Sequence, residues 1–123
     1  MSIKEPAQSR DFRTPASDIK GFREAFASAY AAGTAAAEAS EDGGTCNFDH
    51  ARLLSRRSAR VEAAIKAAGA SIYYRERSKW WPSGYAIYVR NGGQGFKNTR
   101  AAEAITAALV AAGFSACTYY AVD

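Results

Sequence analysis

Apolar residues recur in one arrangement at two places. Residues 61–71 read VEAAIKAAGAS and residues 105–115 read ITAALVAAGFS. Val61 corresponds to Ile105, Ile65 to Leu109 and Gly69 to Gly113, with alanines at 63, 64, 67 and 68 echoed at 107, 108, 111 and 112. Branched apolar residues four apart form one face of a helix. A glycine after the last turn tolerates the left-handed conformation that ends a helix and reverses the chain. Each copy then runs into a segment carrying tyrosines, Tyr73 and Tyr74 in one and Tyr119 and Tyr120 in the other, which reads as a strand. The pattern predicts two similar α-β units.

The remaining segments fit around that repeat. A first helix is expected from Ser17 or Asp18, either of which can cap its first turn, to about Ala39. Phe22, Phe26 and Tyr30 share one stripe of it, expected to pack against the rest of the domain rather than to form a partner or dimer face. Residues 45–48 are expected as a short strand, Asp49 as an N-cap and 50–68 as a second helix. Strands follow at 71–76 and 85–90, a third helix at 99–112 capped by Asn98 or Thr99, and a last strand at 115–122. The order is α, then β-α-β-β-α-β. This predicts an α+β fold: a ferredoxin-like sandwich with helices on one face of a four-stranded antiparallel sheet and an additional N-terminal helix. Right-handed crossovers put the first and third of these strands in the centre, and the last beside the first, so Cys46 and Cys117 are expected near each other as thiols. Residues 1–16 read as a flexible arm and 17–123 as one domain, with 17–40 the extra helix and 44–123 the core.

The other sheet face decides what the fold can bind. Tyr73, Tyr88 and Tyr119, with Arg75 and Arg90, are possible residues there, and an open face of that kind stacks RNA bases. The aromatic stripe of the first helix is expected to dock on this face and block such stacking.

A chain of 123 residues with 48% hydrophobic composition can bury a core without staples. No run reaches the roughly 20 apolar residues of a membrane span, and the first residues have no apolar leader core, so a soluble cytoplasmic protein is expected. The charge is polarised: residues 1–50 carry five basic and eight acidic side chains, residues 51–123 eleven basic and four acidic. A basic body beside an acidic arm suits nucleic acid or an acidic protein surface.

Candidate binding residues cluster in three places. Arg52, Arg56, Arg57 and Arg60 fall in the first half of the expected second helix, where the macrodipole disfavours cations. Arg77, Lys79, Trp80 and Trp81 lie in a hairpin-like loop that can bury at most one of the two indoles easily and offers the other as a protein anchor or base-stacking platform. Lys97 and Arg100 flank a glycine-rich turn, NGGQGFKNTR, that could hold a phosphate at a helix start but lacks the P-loop and dinucleotide spacings. The single histidine, His50, sits beside Asp49 and four residues after Cys46. A zinc site would need both cysteines, His50 and a carboxylate, and a Cys46–His50 thiolate pair lacks an oxyanion hole or pocket in the sequence. No catalysis, cofactor or metal is expected.

The combination GTCNFD at 44–49, GGQG at 92–95 with TRAAEA at 99–104, and ACTYYAVD at 116–123 resembles a group of small uncharacterised bacteriophage proteins over residues 44–123. The resemblance implies an accessory protein that binds a host macromolecule, among them antagonists of bacterial defence such as anti-CRISPR proteins. The expected partner is a host protein or ribonucleoprotein, with direct nucleic-acid binding as the alternative and no membrane. The protein is expected as a monomer or homodimer.

Overall fold

The computed structural model describes residues 2–3, 19–41, 43–44, 47–89 and 95–120. Its elements run β1 (Ser2–Ile3), α1 (Ile19–Ala39), β2 (His50–Leu54), α2 (Ala59–Ala67), β3 (Tyr74–Arg75), β4 (Gly84–Ile87), α3 (Phe96–Ala111) and β5 (Ala116–Tyr120). This is a mixed α+β fold with an N-terminal helix. The strands form one sheet in the order β1-β5-β2-β4-β3, with every neighbouring pair antiparallel. The expected central positions of the first and third core strands, now β2 and β4, are observed. Part of the expected arm, Ser2–Ile3, pairs with β5 as an edge strand; residues 4–18 lie outside the described residues.

The repeat forms as its glycines require. Gly69 and Gly113 both have positive φ, +90° and +93°. In each copy two amides turn back onto the last helical carbonyls. Gly69 N–H and Ala70 N–H donate to Lys66 and Ile65, and Gly113 N–H and Phe114 N–H donate to Val110 and Leu109. These paired bonds are the Schellman arrangement, and they lead each chain segment back under its own helix.

The middle of the chain departs from expectation. Residues 50–54 are a buried strand, not the start of a helix, and no strand spans the described part of 45–48. The segment HARLL alternates: Ala51 and Leu53 enter the core, while His50, Arg52 and Leu54 project from the opposite face. Its register with β4 and β5 supplies ladder bonds on both sides, which a helix at this position would forfeit. Helix α2 starts later, where Ser58 has extended backbone and its Oγ accepts from Val61 N–H at 3.3 Å. Asp49, expected as that cap, instead accepts a bond from Thr99 Oγ1 at 2.6 Å. Helix α3 likewise begins three residues early, at Phe96, and neither Asn98 nor Thr99 caps it. Asn98 donates to the Asn47 side chain at 2.7 Å, so these polar residues tie the approach to β2 onto α3.

All three helices share one side of the sheet. Helix α1 packs against α3 and α2. Its Phe22 and Phe26 join Leu53, Val61, Ile65, Tyr85, Ile87, Ile105 and Leu109 in one core. Phe22 meets Phe114 edge-on at 5.1 Å between ring centroids. The stripe therefore packs inward as expected, but docking of α1 on the opposite sheet face is overturned. The apolar surface that receives it is formed by α2 and α3, where Ala64, Ala68 and Ala108 join the core. Tyr85 fastens α2 over the sheet: its hydroxyl donates to Glu62 at 2.7 Å and accepts from Ser58 N–H at 2.9 Å.

Candidate functional site

Strand alternation sends a second set of side chains to the face away from the helices. From β2 come His50, Arg52 and Leu54; from β5, Cys117 and Tyr119; from β3 and its approach, Tyr73 and Arg75. Tyr88 follows β4, and Trp81 folds in from the 76–83 connection. Among the described residues no helix covers this face.

The rings on it touch in series. Trp81 and Tyr119 have centroids 5.5 Å apart, Tyr119 and His50 stack at 4.9 Å and 21°, His50 and Tyr88 are 4.9 Å apart, and Tyr88 meets Tyr73 edge-on at 5.6 Å. His50 and Tyr119 are direct cross-strand partners, and such aromatic pairs stabilise a sheet locally. The line runs across the sheet from the β5 side to the β3 edge, where Tyr73 is 48% exposed.

Arg52 lies within this layer. Its guanidinium carbon is 4.6 Å from the Tyr119 ring centroid and 5.7 Å from that of Trp81, both cation–π distances. Its stem passes over β4, where a side chain on Gly84 would come within 3.1 Å of Arg52 Cγ. Nη2 lies 3.2 Å from His50 Nε2, while His50 Nδ1 lies 3.0 Å from the Phe48 carbonyl. A single tautomer satisfies both contacts: Nδ1–H donates to Phe48 and Nε2 accepts from Arg52. The imidazole is thus neutral, and burial, with a smaller opposing effect from the Phe48 bond, lowers its pKa from 6.5 to about 4. Burial also lowers the Arg52 pKa, and a guanidinium nevertheless stays charged. Cys117, the cross-strand partner of Arg52, is a free thiol, and burial pushes its pKa up to about 11. At neutral pH it holds its proton and is a poor nucleophile.

The 76–83 connection separates its two indoles. Ser78 N–H donates to the Trp81 carbonyl at 2.9 Å and Ser78 Oγ accepts from Trp81 N–H at 3.1 Å. This tight turn seats Trp81, 8% exposed, on Tyr119 and Leu54, and leaves Trp80 79% exposed with Lys79 Nζ 5.1 Å from its ring.

The expected arginine helix is dissolved by the position of β2. Arg52 belongs to the sheet face, Arg56 and Arg57 to the exposed connection before α2, and Arg60 to its first turn. Arg57 covers the Tyr74 ring on the helix side at 4.4 Å and pairs with Glu62 at 3.6 Å. Lys97 Nζ donates to the carbonyls of Ala37 and Ser40 at 3.0 Å, at the C-terminal end of α1. Arg100 pairs with Glu103 one turn on. Residues 90–94, with most of the glycine-rich turn and Arg90, lie outside the described residues, as does Cys46. Arg52 and Trp81 are therefore brought together, with Arg77 and Lys79 along the adjoining exposed loop. The central member missing from the binding residues read from sequence is His50, which the alternation of HARLL could have assigned to the same face as Arg52.

Among the described residues, no group of three or more His, Cys, Asp or Glu side chains could hold a metal ion, and no helix is long and apolar enough to cross a membrane. Comparison with protein-family models, curated proteins and solved structures found no match for the chain.

Proposed function

We propose that this protein binds single-stranded nucleic acid on the helix-free face of its sheet, in a non-catalytic role. The observation that carries the reading is the ring series Trp81–Tyr119–His50–Tyr88–Tyr73 with Arg52 and Arg75 on the same face. Rings offer sequence-tolerant stacking for bases, and arginines attract the backbone. We further infer that the β5-β2-β4-β3 part of the sheet belongs to a ferredoxin-like β-α-β-β-α-β sandwich. Its strand order and antiparallel neighbours support this, and the partly exposed Tyr88 and Tyr73 then lie where a bound strand would cross, with His50 buried beneath them as a spacer. A binding role rather than catalysis is favoured because His50 at about 4 and Cys117 at about 11 are both far from the neutral pKa that suits acid-base work.

Fluorescence anisotropy with labelled octathymidylate and octauridylate at about 50 mM salt tests the reading. Tyr88→Ala and Tyr119→Ala should each weaken binding by roughly 5- to 100-fold, the usual worth of one stacked base, with far-UV circular dichroism unchanged. Absence of binding by the wild-type protein would refute it.

A second reading follows from Trp80, whose 79% exposure is unusual for an indole. A projecting tryptophan is a frequent interface anchor, and the phage-protein resemblance points to a host-defence protein as its target. Capture of a defined bacterial protein that survives nuclease and is lost in Trp80→Ala would favour this reading over strand binding.

A further inference from the structure

We propose that Arg52 forms the anion subsite of the sheet face and takes one phosphate of the bound strand. The inference rests on the strand-binding reading and gives that reading its polar contact.

Arg52 carries a permanent positive charge at a position only 7% exposed. Among the described residues no carboxylate pairs with it. Burial lowers its pKa and Arg75 adds to that, against opposing effects of Cys117, Tyr119 and Tyr88. The rings of Tyr119 and Trp81 can satisfy the flat faces of the guanidinium. They cannot satisfy its N–H groups, which donate in the plane and need an acceptor there. His50 accepts from Nη2, but Nε is buried and has no hydrogen-bond partner among the described residues. A buried unpaired donor on a charged group is an expensive feature, destabilising by at least about 1–3 kcal/mol, and a buried charge without a counter-ion adds to that.

The missing partner has a definable chemistry. It must be an anion, because the local charge is uncompensated, and it must present oxygens in the guanidinium plane. A phosphate meets both needs and matches the fork of an arginine. Arg75 adds positive charge from β3, and its influence reaches both Arg52 and His50. His50 contributes by remaining neutral: it accepts from one arm of the fork, fixes the plane and leaves the other donors to the ligand. Small residues on β4, Gly84 and Ala86, keep the floor under the Arg52 stem low. Bases stacked on Tyr88 and Tyr119 would bring the backbone between them past the guanidinium.

The experiment reads the Arg52 Nε–H directly. In nitrogen-edited NMR spectra of the full chain, that side-chain resonance is assigned by its loss in Arg52→Lys, then followed as octathymidylate or a hepta-glutamate peptide is added. With octathymidylate the resonance should move and its exchange with water should slow. Arg52→Lys, which keeps the charge and removes the fork, should bind the strand roughly 10-fold more weakly, the usual worth of a hydrogen bond to a charged group. In Arg52→Met the slope of log affinity against log salt should flatten by about 0.7, one phosphate contact fewer. Strand binding that leaves the Arg52 resonance unmoved overturns the subsite and leaves strand binding standing. No strand binding at about 50 mM salt overturns both. A response to the glutamate peptide alone overturns the phosphate assignment in favour of a carboxylate-bearing partner. Should the variants fail to fold, the resonance is assigned through bonds from the Arg52 backbone in the wild-type protein, and its response to the added strand decides.

Discussion

His50 and Arg52 are two residues apart on one strand, and each sets the other's chemistry. The guanidinium donates to Nε2, so a proton on Nε2 would break that bond and bring two cations together in a buried layer. Protonation is therefore resisted in the folded state, where the pKa is about 4, and not in the unfolded chain, where it is near 6.5. Between these values the unfolded chain binds more protons, and stability must fall as pH falls. The contribution from His50 is fully present above about pH 7 and is lost progressively toward pH 4, on the order of 3 kcal/mol in all. Urea midpoints measured from pH 7.5 to 4.5 should decline more steeply in the wild type than in His50→Gln, the comparison removing the shared carboxylate background. Equal slopes in the two proteins would mean that His50 is not buried as a neutral acceptor. This residue pair was only partly legible beforehand. Arg52 stood out as a member of a basic cluster, but His50 drew attention through its sequence neighbours Cys46 and Asp49 rather than through the strand face that it shares with Arg52.

At the scale of elements, the long helices were the most readable features. Helix α1 ends at Ala39 as its apolar stripe predicts, and the two glycine-terminated units fold alike. Strand β2 was not readable, because five alternating residues are a short signal. Arginines at 52, 56 and 60 also imitate a helical spacing that the chain never uses. Pairing with β4 and β5, both distant in sequence, decides that segment. Helix packing has its own test at Gly33 of α1. A Cβ there would lie 2.6 Å from Ile105 Cγ1 and 3.2 Å from Val89 Cγ2. Replacing glycine by alanine inside a helix ordinarily stabilises by up to about 1 kcal/mol. Here overpacking against a fully buried isoleucine, about 1–3 kcal/mol, should win. Gly33→Ala is expected to lower the thermal midpoint by several degrees for a domain of this size. A raised midpoint would mean that α1 stands farther from α3 than described.

For the whole molecule, the decisive fact is that α1, α2 and α3 all lie on one side of the sheet. That arrangement sets the ring layer apart from the core, with Arg52 beside Tyr119 and Trp81 in it. Two to four phosphate contacts, drawn from Arg52, Arg75, Arg77 and Lys79, predict that strand affinity falls about 7- to 50-fold between 50 and 200 mM salt. Anisotropy titrations across that range check the figure, and a salt-independent affinity would point to a protein partner instead. The amino-acid sequence by itself determined α1, α3 and the end of α2, the α-β repeat, the polarised charge and the exposure of one indole of the Trp80–Trp81 pair. Each depends on periodicity or composition within a few turns of chain. Only the tertiary structure decided where β2 begins, which surface receives the stripe of Phe22 and Phe26, and that His50, Arg52, Trp81, Tyr88 and Tyr119 meet. Amphipathicity specifies that a helix face must be buried. The facing residues that bury it come from elsewhere in the chain, and their choice of the α2–α3 surface left the other sheet face to its rings and arginines.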